Sequence, residues 1–192
     1  MKRNVHYESL HECKAFKLFD ACSDVSYFQE QPCRIRYVMN GEQRTHYPDA
    51  LVKSPSGKDL VEVKTSEEAA TDEVRERTEF MQRALQPLGY GYRLLTSDLL
   101  SQNPRLENVE TLLRLGRNSI PLVMREQIRR IFKANGAIPW GAFRTSASVS
   151  QHRAAVCRLV LEGALKIDFN QPLSDASQIY WATWSVGGAS WE

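Results

Sequence analysis

The stretch His46 to Lys64, HYPDALVKSPSGKDLVEVK, has the polar and apolar alternation of a β-hairpin. Its second arm runs over Asp59–Val63, and Ser54-Pro55-Ser56-Gly57 supplies the turn. Upstream, helical spacing predicts a helix near Glu8–Cys22, followed by short strands around Val25–Phe28 and Cys33–Met39. Asn40-Gly41 marks a tight turn, so the first arm is expected as one strand over Thr45–Val52. Thr65, with Glu68 three residues on, reads as a capping box. It opens a helix expected over Ser66–Leu85 that buries Val74, Phe80, Met81 and Leu85. Gly89 and Gly91 end that pattern, and Tyr90–Thr96 predicts a strand beside the second arm. Helix, meander, helix and strand make an α/β unit with one packed sheet.

The loop Ser101-Gln-Asn-Pro104 divides this unit, residues 1–100, from a second over 101–184, with a short tail at 185–192. In the second unit helices are expected at Arg105–Leu115, Ile120–Ala134, shortly after Pro139, and Val149–Glu162. Strands at Leu165–Phe169 and Ile179–Ala182 follow. Helices closed by a β-hairpin give the order of a winged helix. Trp140 and Trp181 are expected in the core, and Trp184 and Trp191 as anchors by which the tail adds to a partner's surface.

Composition narrows the class. An apolar content of 42% and a charged content of 25% over 192 residues are those of a soluble globular protein. With no apolar run of 18 residues, no membrane contact is expected. The opening Met-Lys-Arg-Asn-Val-His lacks a signal-peptide block, which makes the cytoplasm the expected compartment. Cys13, Cys22, Cys33 and Cys157 show no C-x-x-C spacing, which argues against zinc. The net charge of +2 conceals an asymmetry: between Arg114 and Arg158 there are nine basic residues and one acid, Glu126. Arg125, Arg129, Arg130, Arg153 and Arg158 are candidates for DNA phosphates or a protein partner, and a solvated face accounts for the charge equally well.

The acids carry the chemistry. Glu62 and Lys64 are two apart on a strand and share a face. Asp49 follows Pro48, and if the two arms pair it meets Glu62 across the sheet. Glu12 falls near the centre of the first helix's apolar face, between Phe16, Phe19 and Ala15, where an unpaired carboxylate is costly. For a lone acid, an arginine or the surface is the plain explanation. Three acids at one place suit a hard divalent cation such as Mg²⁺ or Mn²⁺. Lys64 adds a point charge for a phosphate oxygen or an attacking water. His46 and His11 lie near these acids and read as surface or packing residues.

Pro48-Asp49, twelve residues, then Glu62-Val63-Lys64 resembles the signature of the PD-(D/E)xK nucleases. Ser9 to Pro32, SLHECKAFKLFDACSDVSYFQEQP, is similar to the opening of TnsA endonucleases, subunits of heteromeric transposases. There a catalytic Glu on a helix precedes a V-x-x-F-x-x-Q-P strand, here Val25, Phe28, Gln31 and Pro32. The resemblance implies a restriction-endonuclease-like domain followed by a winged-helix-like one. It further implies that Glu12, Asp49, Glu62 and the Val63 carbonyl hold the metal, that Lys64 is catalytic, and that Gln31 lies close to the site. It implies cleavage of double-stranded DNA at the 5′ ends of a mobile element, beside a DDE transposase (TnsB-like) and an AAA+ ATPase regulator (TnsC-like). A stand-alone nuclease for restriction, repair or phage DNA processing, and a catalytically silent winged-helix adaptor, are the alternatives.

Overall fold

Aromatic rings join the first helix to the first strand. In the computed structural model, which describes residues 4–143 and 147–182, α1 spans Leu10–Ala21 and β1 Tyr27–Glu30. The Phe28 ring lies 5.7 Å from that of Phe16 and 5.8 Å from that of Phe19. The chain then forms a separate ribbon, β2 (Ile35–Met39) and β3 (Glu42–His46), closed at Asn40-Gly41, both with positive φ. Next come β4 (Ala50–Ser54), β5 (Gly57–Lys64), the helices α2 (Ser66–Ala69) and α3 (Asp72–Leu85), β6 (Gly91–Thr96) and α4 (Ser97–Leu100).

The sheet order is β1-β4-β5-β6. Its first three strands form an antiparallel meander and β6 runs parallel to β5, a pairing that needs the α2–α3 crossover. Register assigns the two faces. Phe28 opposes Val52, and that face carries the α1 contact. Leu51 opposes Leu60, and Leu60 packs with Met81, Leu85 and Tyr92 on the α3 side. Glu62 and Lys64 have the parity of Leu60 and so belong to the α3 side.

Two expected elements are divided. The Thr45–Val52 strand becomes β3 and β4 in different sheets, because Pro48 carries no amide hydrogen for a ladder. Asp49 therefore precedes β4 instead of lying within a strand. The Ser66–Leu85 helix breaks after Ala69, and Thr71 starts α3 as a second N-cap, its hydroxyl accepting from Val74 N–H. The Thr65–Glu68 capping box is present in full.

Residues 4–19 and 25–101 make one compact unit, and 20–24 with 102–182 the other. The second contains α5 (Arg105–Leu115), α6 (Leu122–Asn135), β7 (Ile138–Pro139), a 3₁₀ turn at Trp140–Phe143, α7 (Ala147–Leu161), β8 (Leu165–Lys166) and β9 (Gln178–Trp181). The expected short helix after Pro139 is that 3₁₀ turn, and β7 joins the hairpin as an additional strand in the order β7-β9-β8. Ile128, Phe132, Trp140, Leu159 and Ile179 fill the core, with Trp181 packed partly against it. Trp184, Trp191 and the 185–192 tail lie outside the described residues. No described helix is long and apolar enough to cross a membrane.

Gly116, after α5, allows a close approach to α7. A Cβ there would lie 2.8 Å from the Arg158 amide nitrogen and 2.9 Å from the Cys157 carbonyl carbon. Backbone atoms cannot rotate aside, so Gly116→Ala is expected to cost about 1–3 kcal/mol. Urea unfolding followed by tryptophan fluorescence measures this unit, since all four tryptophans lie beyond residue 139. An unchanged midpoint would refute the close packing.

Candidate active site

Asp49 is placed by the break that Pro48 makes. Half-buried, it turns its side chain onto β5, where Oδ2 accepts a hydrogen bond of 2.6 Å from Val63 N–H. Its carboxyl is pushed up to about 6. Burial is the main cause, the Glu12 and Glu62 charges add to it, and the Val63 amide and Lys64 oppose it. Among the described residues, Oδ1 has no hydrogen-bond or ionic partner.

Glu62 is very different. Only 3% exposed, it has both oxygens engaged. Arg77 Nη2, from α3, donates to Oε1 at 2.6 Å, and the Tyr92 hydroxyl, from β6, donates to Oε2. Since Tyr92 gives its single proton to Glu62, the 2.8 Å contact between Tyr92 Oη and His46 Nε2 requires that the nitrogen carry its own proton. Burial lowers the His46 pKa, against the pull of Glu62, so the ring is neutral near pH 7. Tyr92 is held as the phenol, its pKa raised by burial and by the Glu62 charge. Lys64, a third exposed, holds Nζ 3.9 Å from Glu62 Oε1. The lysine thus reaches solvent beside the acid instead of entering the core.

Glu12 stands apart from this pair. In the first turn of α1, its Oε1 accepts from the Ser9 hydroxyl at 2.8 Å and its Oε2 from Glu8 N–H at 3.0 Å, while Ser9 Oγ accepts from Glu12 N–H. This is a cap at the helix start, where a carboxylate satisfies free amides. The residue is half-buried at the start of the face that Ala15, Phe16 and Phe19 continue, and its carboxylate is satisfied there by the cap instead of lying unpaired. Its charge still helps to raise Asp49. Gln31 joins the same corner: its N–H donates to the Asp49 carbonyl at 2.9 Å and its side-chain amide to Glu8 Oε1 at 2.8 Å. Its φ of +41° is unusual for a non-glycine residue, the more so before a proline.

The donor chemistry fits a hard divalent cation. Asp49 offers an unpartnered oxygen beside carboxylates that repel it, and Glu62 follows on the adjoining strand with the Val63 carbonyl next to it. The acids are not gathered into one cluster: among the described residues no three His, Cys, Asp or Glu side chains converge closely enough to hold an ion. Glu12 is occupied by its cap and Glu62 by Arg77 and Tyr92.

Two members of this network, Arg77 and Tyr92, escaped the sequence reading. His46, expected at the surface or in packing, is packed at 9% exposed, and its bond to Tyr92 is the part that was not foreseen. Arg77 lies three residues after Val74 and four before Met81, within the buried stripe of α3. A charge in an apolar stripe is the signal that singled out Glu12, and it would have found Arg77. Tyr92 opposes Leu60 in register and looks like an ordinary core position until its hydroxyl is seen.

The candidate arginines of the second unit all have partners. Arg125 and Arg158 share Glu162, at 2.6 and 2.7 Å. Arg129 and Arg130 share Glu126, whose carboxyl they hold down to about 2. Arg153 stacks on Trp140 at 4.8 Å. Two carboxylates therefore balance four of the five cations.

Residues 22–97 match the family described as TnsA-like endonuclease N terminal. The match takes in β1 to β6 with Gln31, Asp49, Glu62 and Lys64, and it begins after Glu12. The N-terminal unit is a TnsA-like nuclease domain of the PD-(D/E)xK superfamily, and its mixed sheet between helices agrees with that. No curated protein matches the chain.

Proposed function

We propose that the protein is a metal-dependent DNA endonuclease, a TnsA-like transposase subunit that hydrolyses phosphodiesters at the 5′ ends of a mobile element. The observation that carries this reading is the corner where β4 meets β5. Asp49 is fixed on the Val63 amide with one oxygen free, and Glu62 and Lys64 point to the same side of the strand end. Asp49, Glu62 and the Val63 carbonyl would hold Mg²⁺ or Mn²⁺, with Glu12 joining from α1. The ion supplies a water of lowered pKa and a counter-charge for the phosphate. Lys64 binds a non-bridging phosphate oxygen or orients the water. Gln31 holds the end of β1 against Asp49 and the start of α1.

The C-terminal unit acts in this reading as a winged-helix-like module facing DNA or a partner, through Arg125, Arg129, Arg130, Arg153 and Arg158. The partners are a DDE transposase and an AAA+ ATPase, and the compartment is the cytoplasm. Residues 1–100, 101–184 and 185–192 serve as nuclease domain, winged module and tail.

The test is cleavage of an end-labelled duplex carrying the element's end, with Mg²⁺, with and without the transposase and ATPase. Lys64→Ala is expected to lose cleavage by roughly 10²–10³-fold while DNA binding stays within about twofold. Cleavage that survives this change refutes the site. Cleavage by the chain alone on any duplex would instead identify a stand-alone nuclease.

A further inference from the structure

Glu62 poses a conflict for the proposed site: a prospective metal ligand is already neutralised by an arginine. Arg77 holds it through one nitrogen, Nη2, while its Nε is buried without a hydrogen-bond partner. Arginine at a permanent ion pair commonly presents a two-nitrogen fork to the carboxylate. A contact through one nitrogen is easier to exchange. Arg77 also lines an open polar cavity of about 610 Å³ between the β2–β3 ribbon and α3, together with Arg44, His46, Asp72, Glu73 and Glu76. Glu73 and Glu76 are exposed and on the same helix, four residues before Arg77 and one before it. Among the described residues, the cation paired with Glu73 is a distant one, Arg44 at 3.9 Å. The cavity thus offers both space and acceptors for a displaced guanidinium.

We propose that Arg77 is a displaceable counter-ion: it holds Glu62 in the metal-free protein and moves into the cavity, toward Glu73, when a divalent cation takes up the Glu62 carboxylate. This rests on the metal-dependent reading above. It explains how a carboxylate buried to this degree is kept aimed before the ion arrives, with Tyr92 keeping hold of the other oxygen. Arg77 is a positioning residue in this scheme. It sets how tightly the site takes metal, because every binding event must first release it.

Mn²⁺ titration calorimetry on the full chain, without DNA, tests the exchange. Arg77→Met keeps the volume and removes the competitor, so Mn²⁺ is expected to bind about tenfold more tightly or better. Because this variant leaves Glu62 only the longer 3.9 Å pair with Lys64 and risks misfolding, a second one acts at the exposed end. Glu73→Gln with Glu76→Gln removes the acceptors that stabilise the displaced arginine, so Mn²⁺ should bind severalfold more weakly, with circular dichroism unchanged. Wild-type binding of Mn²⁺ with no tightening in Arg77→Met, or no weakening in the double variant, overturns the exchange and leaves the nuclease reading intact. Tight binding that does not depend on Asp49, or no binding in any of these proteins, overturns the metal reading and the exchange with it.

Discussion

Replacing Asp49 with Asn is expected to stabilise the metal-free protein while abolishing Mg²⁺-dependent cleavage. The carboxyl sits at about 6 in the fold, mainly through burial, against 3.8 for the free group. A raised carboxyl binds its proton more tightly when folded, so ionising it works against the fold. The penalty is fully present above pH 6 and fades as the pH falls from 6 to 3.8. Its upper bound is about 3 kcal/mol, less what the exposed part recovers from solvent. Asn removes the charge and keeps an oxygen for the Val63 amide. The variant should melt several degrees higher than wild type at pH 7.5, with the two converging near pH 4.5. Saturating Mg²⁺ should raise the melting temperature of wild type and leave the variant unmoved. A variant that melts at or below wild type at pH 7.5 would refute the strained carboxylate.

That strain explains why part of the site was legible in the sequence. Glu62-x-Lys64 announces itself because a central strand seldom carries an acid and a lysine on a covered face, and Pro48-Asp49 because a proline interrupts the expected strand just before an acid. The antiparallel pairing of β4 with β5 followed from alternation and the Ser-Pro-Ser-Gly turn. The break between β3 and β4 was legible as well, had Pro48 been given its full weight as a residue without a ladder hydrogen. Glu12 shows the limit of helical counting. The angle placed it centrally in an apolar face, but at the third residue of a helix the free amides compete for a carboxylate, and Ser9 three residues earlier completes a cap. The least legible feature was what surrounds Glu62. His46, Arg77 and Tyr92 come from three elements separated by up to 46 residues, and only the parallel pairing of β6 with β5 and the packing of α3 bring them together. In the second unit, charge counting pointed to five arginines, and the register of α6 and α7 then supplied Glu126 and Glu162 to four of them.

Glu62→Gln should do the reverse of Asp49→Asn, although the two acids adjoin. The isosteric amide still accepts from Tyr92 or Arg77, but it removes the one charge paired, among the described residues, with a guanidinium whose side chain is 15% exposed. Breaking a buried pair from one side typically costs about 3–5 kcal/mol, because the remaining ion keeps its desolvation penalty. The low end applies here, since the acidic cavity gives Arg77 a refuge. A fall of several degrees in the melting temperature is expected, with cleavage lost. Adding Arg77→Met removes the stranded charge, so the double variant should recover most of the lost stability and none of the activity. Recovery of stability without recovery of cleavage would separate the two duties of Glu62, anchoring α3 to the sheet and serving the reaction. If Glu62→Gln melts like wild type, the 2.6 Å contact does not persist in solution, and Glu62 is free for metal without any exchange.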